Sequence, residues 1–170
     1  MIKLCLSLAD SSVAVLEEKI ARYADQVPYI EARLDYLSEP EVPAVPDGLG
    51  TDFIATCRPV REGGNYQGEE SARLQLLERA SRSGFTWVDL EHDVEEALFL
   101  PAQARILRSQ HCFESFPEDL AALFDSLKQA GGDMFKMALS ISTTRELTSL
   151  LKWMESLDSK TPFVVLGMED

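Results

Sequence analysis

The sequence predicts an α/β protein built around a parallel β-sheet, and two observations carry this prediction. Short apolar segments alternate with segments of helical periodicity along the whole chain, which is the pattern of parallel strands joined by helices. Several apolar segments also carry ionisable residues at every second position, although the strands of a helix-covered parallel sheet are otherwise apolar. Periodicity alone is compatible with an open sheet or with a closed barrel.

Seven segments have the length and composition of β-strands, and four others have the periodicity of helices. The strand candidates are Ile2–Ala9, Tyr29–Leu37, Phe53–Val60, Trp87–Asp93, Arg105–Phe113, Met134–Leu139 and Phe163–Met168. Helices are expected around Val13, Leu16 and Ile20, over Glu69–Ser81, around Leu120, Leu123, Phe124 and Leu127, and over Thr144–Leu157. The Pro-rich segment Glu39–Pro46 is expected to be a surface connection that replaces a helix.

Charge and cysteine content narrow the class of protein. The formal net charge of −13 argues against a nucleic-acid partner, because a protein that neutralises phosphates needs a basic surface. No apolar run approaches the roughly 18 residues of a membrane span, so no membrane partner is expected. Cys5, Cys57 and Cys112 are odd in number and lack the spacing of metal ligands. They indicate reduced thiols in a cytoplasmic protein, with neither a metal site nor a disulfide framework.

Polar and ionisable residues share one face of five consecutive predicted strands. They are Glu31, Arg33 and Asp35 on the second strand, Thr56 and Arg58 on the third, Asp89 and Glu91 on the fourth, Ser109 and His111 on the fifth, and Lys136 on the sixth. A solvated edge would explain one such strand. A (β/α)8 TIM-type barrel explains all five, because the C-terminal ends of its strands converge on one active site. Charges buried there must pair with each other or with a substrate.

His111 and Lys136 fall on consecutive predicted strands, which a barrel places side by side. Neighbouring strands lie about 4.8 Å apart, so the two side chains can meet if they sit at similar heights. Such a lysine is either a buried salt-bridge partner or a Schiff-base nucleophile, whose amine is freed when desolvation or a nearby cation lowers its pKa. Histidine is the usual proton carrier near neutral pH. The pair is therefore compatible with imine chemistry.

Five motifs follow one another along the chain. They are Glu31-Ala32-Arg33-Leu34-Asp35, Thr56-Cys57-Arg58 followed by Arg61-Glu62-Gly63-Gly64, Asp89-Leu90-Glu91, Ser109-Gln110-His111-Cys112-Phe113, and Gly132-Asp133-Met134-Phe135-Lys136-Met137-Ala138. In this order and with these intervals, the set resembles the motifs of type I 3-dehydroquinate dehydratases. The resemblance covers the chain from Ile2 to its end.

The resemblance implies a shikimate-pathway barrel enzyme that converts 3-dehydroquinate into 3-dehydroshikimate. Lys136 would form a protonated imine with the substrate ketone. His111 would remove the neighbouring proton and then protonate the departing hydroxyl, in a syn elimination. Glu62 resembles the glutamate that positions this histidine. The positions that match substrate-binding residues are Glu31, Arg33, Arg58 and, more weakly, Ser7. No metal or organic cofactor is implied, because the lysine supplies the electrophile.

The chain departs from the family pattern at one residue and in its length. Cys112 follows the histidine where the family usually has aspartate, and this position should point away from the barrel interior. Seven predicted strands leave the C-terminal strand and helix of an eight-stranded barrel missing before Asp170. The expectation is a single barrel domain over residues 1–170, incomplete at its C-terminus. Open strand edges in such a barrel favour self-association as a homodimer.

Two other functions stay open on the sequence alone. Another Schiff-base barrel enzyme, of the aldolase type, would share Lys136 but would not require the Glu-x-Arg-x-Asp strand or the Glu-Gly-Gly loop. A non-catalytic barrel fragment that acts as a binding or assembly module is supported only by the length of the chain.

Overall fold

The computed structural model describes residues 3–157 and 161–168, and these contain seven β-strands and four α-helices. The strands are β1 (Cys5–Ala9), β2 (Tyr29–Arg33), β3 (Asp52–Thr56), β4 (Trp87–Glu91), β5 (Arg105–Cys112), β6 (Met134–Ser140) and β7 (Phe163–Met168). The helices are α1 (Val13–Tyr23), α2 (Glu70–Arg82), α3 (Leu120–Gln129) and α4 (Thr144–Ser156). Strand order in the sheet follows chain order, and the registered pairs are parallel. The predicted parallel α/β fold is confirmed.

The chain divides into two compact units. The first comprises Met1–Asp89 and Glu96–Arg105, and the second comprises Leu90–Glu95 and Ile106–Asp170. Strands β1 to β3 and helices α1 and α2 belong to the first unit, whereas β6, β7, α3 and α4 belong to the second. Strands β4 and β5 contribute residues to both.

Two helices bury their apolar sides in the first unit. Leu16 and Ile20, one helical turn apart on α1, are fully buried, and α1 packs against β1 and β2. Leu77 of α2 is also fully buried, and α2 packs against β3. Side chains alternate between the two faces of a strand, so Ile30 and Ala32 lie on the opposite face of β2 from Glu31. One face of this strand is therefore available for polar chemistry.

An aromatic cluster organises the core of the second unit. The ring of Phe124 on α3 makes edge-to-face contacts with Phe135, Trp153 and Phe163, with centroid distances of 5.9, 5.4 and 6.2 Å. Such pairs stabilise a core beyond the burial of their area. Phe135 belongs to β6, so the strand presents its apolar face to this core. The alternation places Lys136 on the opposite face.

Four strands end earlier than the sequence predicts: β4 ends at Glu91 and β5 at Cys112, one or two residues early, whereas β2 and β3 each end four residues early. Strand β2 ends at Arg33 and is followed by a 3₁₀ turn over Leu34–Tyr36, whereas β3 ends at Thr56. The prediction that Asp35 and Arg58 lie on strand faces is therefore wrong. Proline has no backbone N–H to donate to a ladder, and Pro59 follows Arg58 directly.

Most other predicted elements have the expected position. Strand β7 has the predicted bounds, and residues 39–46 form no helix or strand. Strand β1 begins at Cys5, while Met1 and Ile2 lie outside the described residues. The (β/α)8 barrel stays a prediction. Within residues 3–157 and 161–168, the helices are too short or too polar to cross a membrane.

Candidate active site

A polar face runs across the first three strands of the first unit. Ser7 of β1 lies beside Glu31 of β2, and Arg33 of β2 lies beside Thr56 of β3. The Thr56 hydroxyl donates a hydrogen bond to Glu31 Oε1 at 2.9 Å. Glu31 and Thr56 are buried, whereas Ser7 is exposed. Two of the predicted substrate-binding residues, Glu31 and Arg33, therefore lie on the same strand and point to the same face.

Asp35 is buried and accepts hydrogen bonds from Arg33 and Asn65. Arg33 donates to both carboxylate oxygens, from Nε to Oδ1 at 2.9 Å and from Nη2 to Oδ2 at 2.8 Å, and Asn65 donates its backbone N–H to Oδ2 at 3.1 Å. Burial acts to raise the pKa of Asp35, but the hydrogen bonds and charge of Arg33 and the amides of Asn65 and Arg58 hold the pKa below its usual value. Burial likewise acts to lower the pKa of Arg33, and Asp35 outweighs it, so that pKa is raised.

Arg58 forms a second, fully buried ion pair. Its Nη2 donates to Asp89 Oδ2, and both side chains are almost completely removed from solvent. An unpaired charge at that depth would cost several kcal/mol, so the two residues depend on each other. Arg58 was predicted as a substrate-binding residue on a strand. The structure places it two residues beyond β3 and gives its guanidinium a carboxylate partner.

Two glycines shape the loop that carries Glu62. Glu62 ends a 3₁₀ turn, and Gly63 follows with φ 72°, in the left-handed region that glycine adopts without strain. A Cβ on Gly64 would lie 2.0 Å from the carbonyl oxygen of Arg58, so only glycine fits there. Tyr66 donates its backbone N–H to that same oxygen at 3.1 Å. The loop therefore folds back onto Arg58 and buries Glu62.

In the second unit, Lys136 and His111 lie on neighbouring strands and on the same face. Lys136 of β6 is beside Ser109 of β5, and His111 is beside Ala138. His111 therefore lies two residues farther along the strand direction than Lys136. Lys136 has 8% of its surface exposed, and Ser109 has none. The two side chains are therefore staggered rather than level, with the histidine nearer the carboxyl ends of the strands.

The imidazole of His111 is half-buried and stacks on an aromatic ring. The centroids of His111 and Phe113 are 5.8 Å apart, with an interplanar angle of 11°, and Phe113 is exposed. Stacking of this kind restricts the orientation of the imidazole. A proton carrier needs a defined orientation as well as a suitable pKa.

Arg108 is a buried cation that the sequence analysis did not single out. It lies on the face of β5 opposite Ser109 and donates to three backbone carbonyls. The acceptors are the carbonyls of Gly131 at 2.8 Å, Glu91 at 3.0 Å and Val94 at 3.2 Å. Arg108 therefore fastens the end of β4 and the loop before β6 to β5. An arginine on the helix-facing side of a strand predicts no such role by its sequence position alone.

The second unit offers a buried amine and a stacked imidazole, and the first unit offers two ion-paired arginines, Arg33 and Arg58. Within the described ranges, no group of His, Cys, Asp or Glu side chains could hold a metal ion. A deprotonated lysine amine can attack a carbonyl. Carboxylates and guanidinium groups can orient a hydroxylated, anionic substrate. The side chains therefore suit carbonyl chemistry that proceeds through a lysine.

Comparison with known proteins identifies the family. The family model of type I 3-dehydroquinase matches residues 4–170. The chain is 31% identical to the 3-dehydroquinate dehydratase of Desulfotalea psychrophila over 163 residues, which are 90% of this chain and 71% of that protein. It is 32% identical to the 3-dehydroquinate dehydratase of Dehalococcoides mccartyi strain 195 over 162 residues, 89% of this chain and 71% of that protein.

A solved structure shows the same fold. The type I 3-dehydroquinate dehydratase of Clostridium difficile, crystallised with covalently modified comenic acid, superposes with a TM-score of 0.77 at 16% identity. The match covers 98% of this chain and 75% of that one. The chain belongs to the type I 3-dehydroquinase family, whose members are hydro-lyases of the shikimate pathway.

Proposed function

We propose that Lys136 of this chain forms a Schiff base with 3-dehydroquinate and that His111 moves the protons of the dehydration. The observation that carries this proposal is the placement of a buried lysine and a half-buried histidine on one face of neighbouring strands. Family membership supplies the substrate. A related enzyme, from Clostridium difficile, was crystallised with covalently modified comenic acid, which is in keeping with covalent chemistry.

The proposed reaction conserves protons and needs no cofactor. The Lys136 amine attacks the ketone and water leaves, which gives a protonated imine that can accept electrons from an adjacent carbanion. His111 takes the neighbouring proton and returns one to the departing hydroxyl, which leaves as water. Hydrolysis of the imine then releases 3-dehydroshikimate and restores the lysine. Glu62 is assigned the orientation of His111, as the family resemblance implies.

The substrate-binding residues are proposed to be Glu31, Arg33, Arg58 and Ser7. Each arginine already has a carboxylate partner, Asp35 for Arg33 and Asp89 for Arg58. A substrate hydroxyl would therefore compete with or extend an existing network, and the arginines would contribute orientation more than net charge. Ser7 is the most exposed of the four and is expected to contribute least.

Fold, assembly and location complete the proposal. Residues 1–170 are proposed to belong to a single (β/α)8 barrel domain in the cytoplasm.

A homodimer is proposed because Leu147 and Leu151 on α4 and Leu166 on β7 are exposed apolar side chains of the second unit, and exposed apolar surface favours association. Sedimentation velocity at increasing concentration measures this assembly.

Steady-state turnover of 3-dehydroquinate tests the assignment of the lysine. Lys136→Ala should abolish dehydration, whereas Lys128→Ala and Lys152→Ala should leave turnover unchanged, because these two lysines lie on α3 and α4. Lys128 is paired with Asp125 on the helix surface. Full turnover by Lys136→Ala would contradict the proposal. Consumption of 3-dehydroquinate by carbon–carbon cleavage would favour the aldolase-type alternative instead.

A further inference from the structure

Helix α2 makes hydrogen bonds to the segment that carries Arg58 and Glu62. Arg73 of α2 is fully buried and donates from Nη1 to the carbonyl oxygen of Cys57 at 3.0 Å. Its Nε donates to Glu70 Oε2 at 3.0 Å, and its Nη2 donates to Glu70 Oε1. Cys57 directly precedes Arg58 in the chain. A guanidinium fixed by a carboxylate on one side has a defined direction for its remaining donors.

The first turns of α2 also reach the far side of the same loop. The Glu70 carboxylate accepts from both terminal nitrogens of Arg61 at 3.4 Å, and Arg61 directly precedes Glu62. The Tyr66 hydroxyl donates to the carbonyl oxygen of Glu69 at 3.1 Å. The hydrogen bonds from Arg73 are the largest cause of the lowered pKa of Glu70. The Glu70 carboxylate is therefore ionised near neutral pH and can accept from both arginines.

These contacts connect α2 to three points of one loop. Cys57 lies at the start, Arg61 in the middle and Tyr66 at the end, and the Arg73–Glu70 pair makes the first two contacts. The loop itself is closed by backbone hydrogen bonds from Tyr66 N to Arg58 O and from Gly64 N to Pro59 O. Displacing Arg73 would therefore shift the loop as a body.

We propose that Arg73 is a positioning residue for the dehydration, which acts through Cys57 and Glu70 to set the places of Arg58 and Glu62. This inference rests on the proposed function, because Arg58 and Glu62 are the groups it positions. Arg73 differs from Arg79 on the same helix, which is exposed. Arg79 therefore provides a matched control for the loss of a guanidinium from α2.

Kinetics of single and double variants test the coupling. A misplacement near 1 Å can cost about 10²-fold in rate, so Arg73→Met is expected to lower kcat/KM by about that factor, while Arg79→Met leaves it unchanged. The double variant Arg73→Met/Glu62→Gln should lose less activity than the product of the two single losses, because part of the effect of Arg73 passes through Glu62. Arg73→Lys, which keeps the charge and one donating nitrogen but loses the forked geometry of the guanidinium, should recover part of the loss. Independent, additive losses would overturn the proposal, and so would full activity in Arg73→Met.

Hydrogen exchange without substrate separates this proposal from the proposed function. The amides of Gly64 and Tyr66 should exchange faster in Arg73→Met than in the wild-type protein or in Arg79→Met. If the wild-type protein shows no dehydratase activity, the proposed function fails and the exchange rates alone decide the role of Arg73. Unchanged exchange at these amides would overturn the inference. If Arg73→Met does not fold, Arg73→Lys carries the same comparison.

Discussion

Replacing Asp35 with asparagine should destabilise the protein strongly and in a pH-dependent way. The Asp35 side chain is fully buried and accepts two hydrogen bonds from Arg33 and one from the amide of Asn65. Asparagine keeps one acceptor oxygen, but its NH₂ group is a donor and would face the N–H donors of Arg33 or Asn65. Removing one partner of a buried pair costs about 3–5 kcal/mol, and because Arg33 is partly exposed the lower end, about 3 kcal/mol, is expected.

The pH dependence follows from the lowered pKa of Asp35. A carboxyl group whose pKa is lower in the folded state stabilises the protein fully above its unfolded pKa, and this contribution is lost as the pH falls through the folded value. The pKa of Asp35 lies below its usual 3.8, because the hydrogen bonds and charge of Arg33 outweigh burial. The stability difference between wild type and Asp35→Asn should therefore be constant near neutral pH and shrink in acid, below about pH 4.

Urea unfolding at pH 7 and at successively lower pH measures this difference. Asp125→Asn is the matched control, because Asp125 pairs with Lys128 on the surface with 62% of its side chain exposed. Such a pair contributes about 0–1 kcal/mol. The reasoning is refuted if Asp35→Asn matches this control at pH 7. A loss that stays the same from pH 7 into strong acid would also refute the electrostatic account.

Further predictions concern the loop and the buried arginine of β5. Gly64→Ala should lower kcat/KM by about 10²-fold in a steady-state assay, because the new Cβ would lie 2.0 Å from the carbonyl oxygen of Arg58. Gly50→Ala is the control and should leave activity unchanged, because a Cβ there meets nothing within 4 Å. Arg108→Met leaves three backbone carbonyls without their donor, and each such loss costs about 1–3 kcal/mol. Calorimetry should show a clear fall in melting temperature for Arg108→Met and little change for Arg145→Met, at an exposed position of α4; equal melting temperatures would contradict this role.

The sequence predicts where the strands begin better than where they end. Strand β7 has the predicted bounds, because its apolar run has a clear first and last residue in the sequence. Strands β2 and β3 were predicted too long, since Asp35 and Arg58 continue the alternation of charges beyond the last paired residue. Asp35 accepts from Asn65 and Arg58 donates to Asp89, each about thirty residues away in the chain. Periodicity does not record contacts at that separation.

The buried arginines show what pattern analysis misses. Arg73 lies on α2 and Arg108 on the helix-facing side of β5, and a charged residue in a predicted helix is normally taken as a sign of solvent exposure. Both are buried because backbone carbonyls accept from them, Cys57 for Arg73 and Gly131 for Arg108. Every residue carries a backbone carbonyl, so the spacing of side-chain types in the sequence does not reveal which carbonyls will accept a hydrogen bond. The sequence could single out Lys136 and His111 because their chemistry is distinctive and their strands are consecutive. Their catalytic roles stay a prediction.

Borohydride reduction in the presence of 3-dehydroquinate tests the central claim most directly. The account predicts one ligand mass on the peptide that contains Lys136, with no adduct in Lys136→Ala and an unchanged adduct in Lys128→Ala. In His111→Ala the trapped imine should accumulate while turnover falls at the high end of the roughly 10²–10⁴-fold range for a general acid–base group. An adduct that survives Lys136→Ala would contradict the assignment of the Schiff-base residue.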